Sequence, residues 1–162
     1  MDSAAHLSRG MEDPKARTPP ISVFLASVAM VPIASGAVGS WLFRSPALAR
    51  LTTVWCGAIL CFFAGVKRGL SFRQPGGPTV AQIGAMFATF LPGVLALLLP
   101  WRAVSIPLLI LGYGSEAVLG PVAAKREEAP RFFERLRPVQ MIVPIASLAL
   151  LLIAERRQSD RR

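Results

Sequence analysis

The chain has 162 residues, 53% hydrophobic and 17% charged, with a mean hydropathy of +0.51; a soluble domain carries about a quarter charged residues. The charges collect between long uncharged runs, which is membrane patterning, and continuous apolar runs exclude a spanning β-barrel, whose strands alternate. A net charge of +9 and a pI near 11.2 would suit a nucleic-acid binder. Here, however, the basic residues flank apolar runs, so they read as topology signals and contacts to anionic headgroups, and no nucleic-acid partner is expected.

Residues 1–20 are polar and proline-containing, which predicts a disordered tail that fits neither a secretory signal nor a mitochondrial presequence. Residues 21–43 are uncharged and long enough to cross a hydrocarbon core of about 30 Å. A second span begins near Leu51 but is free of charge only to Val66, about 24 Å at 1.5 Å per residue. It must therefore continue through Lys67 and Arg68 to about Phe72, with both basic heads snorkelling. A turn-rich break at 74–78 precedes a third span at 79–99, and Pro100, Trp101 and Arg102 form a corner. Residues 103–124 make a fourth span interrupted by Glu116, 125–137 a charged connection, and 139–154 a short fifth span before a basic tail at 156–162. The expectation is an all-α integral membrane bundle of about five transmembrane helices, with 21–155 as its single membrane domain.

Eleven of the 18 Lys and Arg residues fall in the amino tail and the 67–78 and 125–138 connections. The positive-inside rule then puts the amino terminus inside, with a bacterial inner (cytoplasmic) membrane as the expected location. Trp41, Trp55 and Trp101 would fall near the opposite, outer face as an aromatic belt.

Helices associate in lipid through close backbone approach at small residues and through buried polar contacts. Small residues spaced by four occur as Gly57, Cys61, Gly65 and Gly69 in the second span. The fourth carries Gly112, Glu116, Gly120 and Ala124, and the third Ala81, Ala85, Thr89 and Gly93. Spans two and four are therefore expected to be central and five peripheral. Pro32, Pro92, Pro107 and Pro144 should kink their spans.

Glu116 is the sharpest chemical feature, because an acid inside a span costs about 2.5 to 3.5 kcal/mol on insertion scales and faces protein or a watery cavity. Counting from the inner ends puts Lys67 or Arg68 within roughly 10 Å of it in depth, so an intramembrane ion pair is expected. Two roles are open to that pair: a proton or ion relay, or a structural contact. Cys56 and Cys61 lie about 7.5 Å apart in rise on different helix faces, too far for a disulfide, and read as small packing residues. The single histidine, His6, is in the tail, so no metal or cofactor site is expected. No phosphate-binding loop or nucleophile elbow points to an enzyme. Tyr113 and Ser115 read as locally hydrogen-bonded. Residues 129–137 put Phe132, Phe133 and Leu136 on one side, which fits either an interfacial helix or a charged loop with its aromatics tucked under the bundle.

The run Trp55-Cys-Gly-Ala-Ile-Leu-Cys-Phe-Phe-Ala-Gly-Val-Lys-Arg-Gly69 resembles the signature of the DUF3429 family, which includes the transmembrane protein 69 group. Ile59, Leu60, Phe62, Gly65 and Gly69 match that signature, whereas Cys61 stands for Ser, Ala64 for Gly and Arg68 for Trp. The Ala129-Pro-Arg-Phe-Phe-Glu-Arg-Leu-Arg137 segment is similar to the family's Leu-Pro-x-Trp-Tyr-x-x-Leu-Arg. The resemblance covers roughly residues 20–155, implies a multi-span membrane protein and supplies no catalytic residue. The functional expectation is a structural or assembly role through helix contacts with other membrane proteins or a second copy; the alternative is a small transporter or channel using Glu116.

Overall fold

The structure, a computed structural model, describes residues 20–72 and 76–159. The expected disordered tail falls almost wholly outside these residues, as does the last part of the basic tail, 160–162. The described chain forms five helices and no strand: α1 (Pro20–Phe43), α2 (Pro46–Ser71), α3 (Val80–Leu98), α4 (Arg102–Lys125) and α5 (Phe133–Ser159).

Local chemistry fixes where the helices start and stop. Ser45 caps α2 by accepting from the Leu48 N–H at 3.3 Å, and Pro46 occupies the first turn, where its missing N–H costs nothing. Thr79 and Gln82 form a reciprocal capping box at the start of α3, with bonds of 3.2 and 3.0 Å. After α1 and α4 the chain turns through left-handed residues, Arg44 (φ 48) and Glu127 (φ 60). Ser45 N–H then reaches back to Ser40 O at 3.3 Å and Glu128 N–H to Ala123 O at 2.9 Å, the wide closing bond of a Schellman motif.

Helices adjacent in sequence are adjacent in space, and α5 returns to α1, so the bundle is a closed ring; α2 also leans across to α4 and α5. Leu60 and Cys56 of α2, Ile106, Leu109 and Tyr113 of α4, Met141 and Leu148 of α5 and Ile33 of α1 fill the centre. By contrast, α3 buries only Thr89, Gly93 and Ala96 and turns Val80, Phe87, Leu91 and Leu98 outward. Every helix exposes large apolar side chains, among them Val31, Phe62, Leu111 and Ile142. Water would not tolerate so continuous an apolar surface, whereas lipid is its natural solvent. Four helical stretches, Pro46–Ser71, Val80–Leu98, Arg102–Lys125 and Phe133–Arg157, are long and apolar enough to cross a bilayer, and α1 adds a shorter apolar stretch, Ser27–Phe43. The chain is a multi-pass, all-α membrane bundle.

The small residues divide. A Cβ on Gly57 would stand 3.0 Å from Gly93 O, and one on Gly93 would stand 3.0 Å from Gly57 O and 2.9 Å from Cys61 Sγ, so these glycines set the α2–α3 approach. Gly112 leaves room for Leu60 and Gly120 for the stem of Arg137. Gly65 and Gly69, by contrast, have open space where a side chain would go.

Two expectations about the last helix need correction. It begins at Phe133, not near 139, and runs through Arg156 and Arg157 to Ser159. A turn led by Pro130, whose carbonyl accepts from Phe133 N–H at 2.9 Å, feeds the helix directly. Nor is α5 peripheral: it packs along both α4 and α1 and buries Met141, Leu148 and Leu151. A helix poor in small residues packs closely where its partner supplies them, as Gly120 beneath Arg137 shows.

Candidate functional site

The site is assembled where α2 and α4 end and α3 and α5 begin. Glu116 lies nine residues before the end of α4, about 14 Å inward along the axis. Its side chain is 1% exposed. Lys67, one turn from the end of α2, reaches it across the bundle, with Nζ 3.3 Å from Oε1. The same ammonium donates to Thr89 Oγ1 at 2.9 Å and approaches Ala85 O at 3.5 Å. Three helices thereby hold one cation.

Arg68 takes no part in this pair. It lies over the Phe72 ring, 4.2 Å from the centroid, so of the two candidate partners for Glu116 the structure selects Lys67. Successive residues on a helix point about 100° apart, so only one of two neighbours can face the bundle centre.

The residue that sequence reasoning missed is Arg137. It had been assigned to a charged connection, yet it sits on the second turn of α5 and is only 6% exposed. Its guanidinium is stacked between Phe63 of α2 at 4.3 Å and Phe133 of α5 at 4.4 Å, an arrangement in which ring faces replace part of the lost hydration. It lies beyond ion-pair distance of Glu116 but close enough for the two charges to attract, and for Lys67 and Arg137 to repel. The spacing Phe133–Arg137, four residues apart on what proves to be a helix, was the available signal.

These groups line a cavity of about 50 Å³. Its lining includes Glu116, Lys67 and Arg137 together with Gln82, Ser71 and Glu128. Space of this size takes about three to five water molecules. Glu116 Oε1, at ion-pair distance from Lys67, is itself fully buried. Farther along the interior the packing is apolar and closed around Leu60, Leu109 and Tyr113, whose hydroxyl donates to Cys56 O at 2.8 Å. Ser115 donates to Gly112 O at 2.7 Å and lies 3.5 Å from Ala88 O, the carbonyl that Pro92 leaves without its helical donor. Tyr113 and Ser115 are thus hydrogen-bonded, Tyr113 across to α2 and Ser115 within α4 and toward α3. Both cysteines are free, and among the described residues no group of three metal-binding side chains comes together.

The opposite end of the bundle holds its charges differently. Arg102 Nε pairs with Glu155 Oε1 at 3.1 Å while Nη1 donates to Pro46 O at 2.9 Å, tying α4, α5 and the start of α2 together. Arg50 Nη1 donates to Leu99 O at 3.0 Å beyond the end of α3. Trp41 and Trp101 lie at this end, and Arg157 stacks over Trp41 at 4.9 Å. Trp55 sits more than two turns deeper in α2, where its indole N–H donates to Ala29 O at 3.2 Å.

No family model, curated protein or solved structure matches the chain.

Proposed function

We propose that this membrane protein is a small proton-linked carrier in which Glu116 is the proton-exchanging group, reached from one end of the bundle. The observation that carries this reading is a cavity lined both by residues at the helix ends and by the deeply buried Glu116–Lys67 pair. A purely structural ion pair has no use for that space, since packed apolar side chains stabilise a bundle at least as well as buried charges do. The assembly role expected from composition rests on close-packed glycines, of which Gly57, Gly93, Gly112 and Gly120 are used within the chain itself while Gly65 and Gly69 face open space. The basic-residue count supports the cavity end, together with the amino terminus, facing the cytoplasm of a bacterium. Membership of the DUF3429 family is part of the proposal, carried by the Trp55–Gly69 segment, which forms the α2 wall bearing Lys67, and by the Ala129–Arg137 segment.

Proteoliposomes test it. Purified protein should conduct protons down an imposed pH gradient, and Glu116→Gln, which keeps the shape but cannot exchange a proton, should abolish the flux. Equal flux in wild type and variant, or none in either, contradicts the carrier reading.

A further inference from the structure

The carrier reading leaves the species exchanged for the proton unnamed, and the surroundings of the Lys67 ammonium bear on it. Three oxygens from two other helices converge on that one nitrogen: Glu116 Oε1 of α4 at 3.3 Å, and Thr89 Oγ1 and Ala85 O of α3 at 2.9 and 3.5 Å. The Thr89 hydroxyl donates its own hydrogen to Ala85 O at 3.2 Å, so it presents a lone pair to the ammonium. A carboxylate, a hydroxyl and a carbonyl around a single positive charge make the ligand set of a cation, and the cation that fills it is a side chain. Lysine suits the part of a removable occupant, because its head is a compact charge on a flexible four-carbon stem. Lys67 lies four residues before Ser71, the end of α2, about 6 Å along the axis, so its head can withdraw toward the headgroups. Lys67, Glu116 and Ala85 line the same cavity as Ser71 and Glu128, which gives both a displaced head and an incoming ion space.

Resting on the carrier reading, we propose that Glu116, Thr89 and Ala85 form a binding site for a small monovalent cation of ammonium or potassium size, which Lys67 fills until the ion displaces it. Oxygens 2.9 to 3.5 Å from Nζ stand farther out than the shells of about 2.0 to 2.6 Å that magnesium and calcium require. Three oxygens with one carboxylate also fall short of the roughly six to eight ligands such ions take. A monovalent ion replaces the Lys67 head charge for charge, so the net charge of the site and the repulsion from Arg137 stay as they are. The ionisable groups facing Glu116 are Lys67 from α2 and Arg137 from α5, with Glu128 on the cavity wall, while α3 carries none. Proton, ion and Lys67 therefore compete for one carboxylate. Protonated Glu116 holds neither cation, and arrival of the ion favours release of the proton, because linkage is reciprocal. The exchange is an antiport, and Lys67 keeps the carboxylate paired between the two ligands so that no bare charge is left in the core.

Uptake of radioactive rubidium, a potassium-sized tracer, into proteoliposomes with an acidic interior tests the exchange. In wild type the uptake should saturate, be competed by potassium and ammonium but not by N-methylglucamine, and vanish in Glu116→Gln. Lys67→Met tests the occupancy. Purified in potassium chloride and moved in phosphatidylcholine nanodiscs to N-methylglucamine chloride of equal ionic strength, it should unfold at a lower temperature than wild type. Potassium or ammonium should raise that temperature with the logarithm of ion concentration, and by more than in wild type. Adding Thr89→Val removes one oxygen where no lysine competes, so the ion concentration needed should rise at least about tenfold. Lys67→Met with Glu116→Gln has no buried charge to compensate and should stay folded and respond to neither ion. A Lys67→Met protein that unfolds alike in every salt, or fails to fold even in potassium, overturns the proposal, as does rubidium uptake that survives in Glu116→Gln. Proton flux without rubidium uptake or cation stabilisation would leave the carrier reading standing and remove only the cation; cation stabilisation of Lys67→Met without flux of either kind would keep the site and remove the carrier.

Discussion

Arg102 and Arg137 lie at opposite ends of the same bundle and carry the same guanidinium, yet one is held by protein acceptors and the other by ring faces. Arg102 is 21% exposed and has two protein acceptors on two other helices, Glu155 and the Pro46 carbonyl. Arg137 is more deeply buried, has no acceptor among the described residues and borders a cavity. A charge kept only for stability should have its donors occupied, since an unsatisfied buried group costs more than a satisfied one contributes. Burial alone therefore does not separate the two charges; Arg102 is held by protein acceptors, whereas Arg137 is held between rings and borders the cavity.

The sharpest way to break this comparison is to leave Glu116 buried without Lys67. Lys67→Ala should destabilise the protein by about 3 to 5 kcal/mol, measured by denaturation in mixed micelles, because an uncompensated carboxylate remains in the core. Lys67→Met combined with Glu116→Gln should recover most of that loss, since the double variant removes both charges at once. Should Glu116→Gln alone leave expression and thermal stability untouched, the pair has no structural weight. Next in size is the glycine contact between α2 and α3: Gly93→Val, forced against Gly57 O and Cys61, should cost about 1 to 3 kcal/mol. The committed end should respond less. Glu155→Gln weakens a pair that is 21% and 25% exposed, so a loss below about 1 kcal/mol is expected, with proton flux unchanged. The smallest effect belongs to Gly65→Ala, which meets open space and removes backbone freedom from a helix. Its stability should hold or rise by up to about 1 kcal/mol, and a clear loss would show that this face is covered by another molecule.

Much of the fold was legible because lipid imposes a simple rule: uncharged runs become helices and charged interruptions mark their ends. Glu116 and Lys67 were legible for the same reason, as charges that break otherwise uncharged runs. Arg137 was hidden by that rule. A basic residue just before an apolar run looks like a loop or an interfacial anchor, and nothing local reveals that Phe63, more than seventy residues earlier, supplies the second ring of its stack. The glycine rows were half legible. Spacing by four shows which residues share a face and cannot say how far along that face a neighbour extends, so Gly57 is packed while Gly65 and Gly69 are not. The extent of α5 was hidden because the charges at 125–137 read as a connection; Glu134 in the first turn favours the helix dipole, and the helix runs on through Pro138 despite the backbone bond that residue removes.

Infrared difference spectroscopy on the membrane-embedded protein tests most directly whether Glu116 exchanges protons with water. Acidification should bring up the band of a neutral carboxyl group that shifts promptly in heavy water, persists in Glu155→Gln and is missing from Glu116→Gln. A band unchanged by Glu116→Gln, or no such band at any pH where the protein stays folded, would contradict the account.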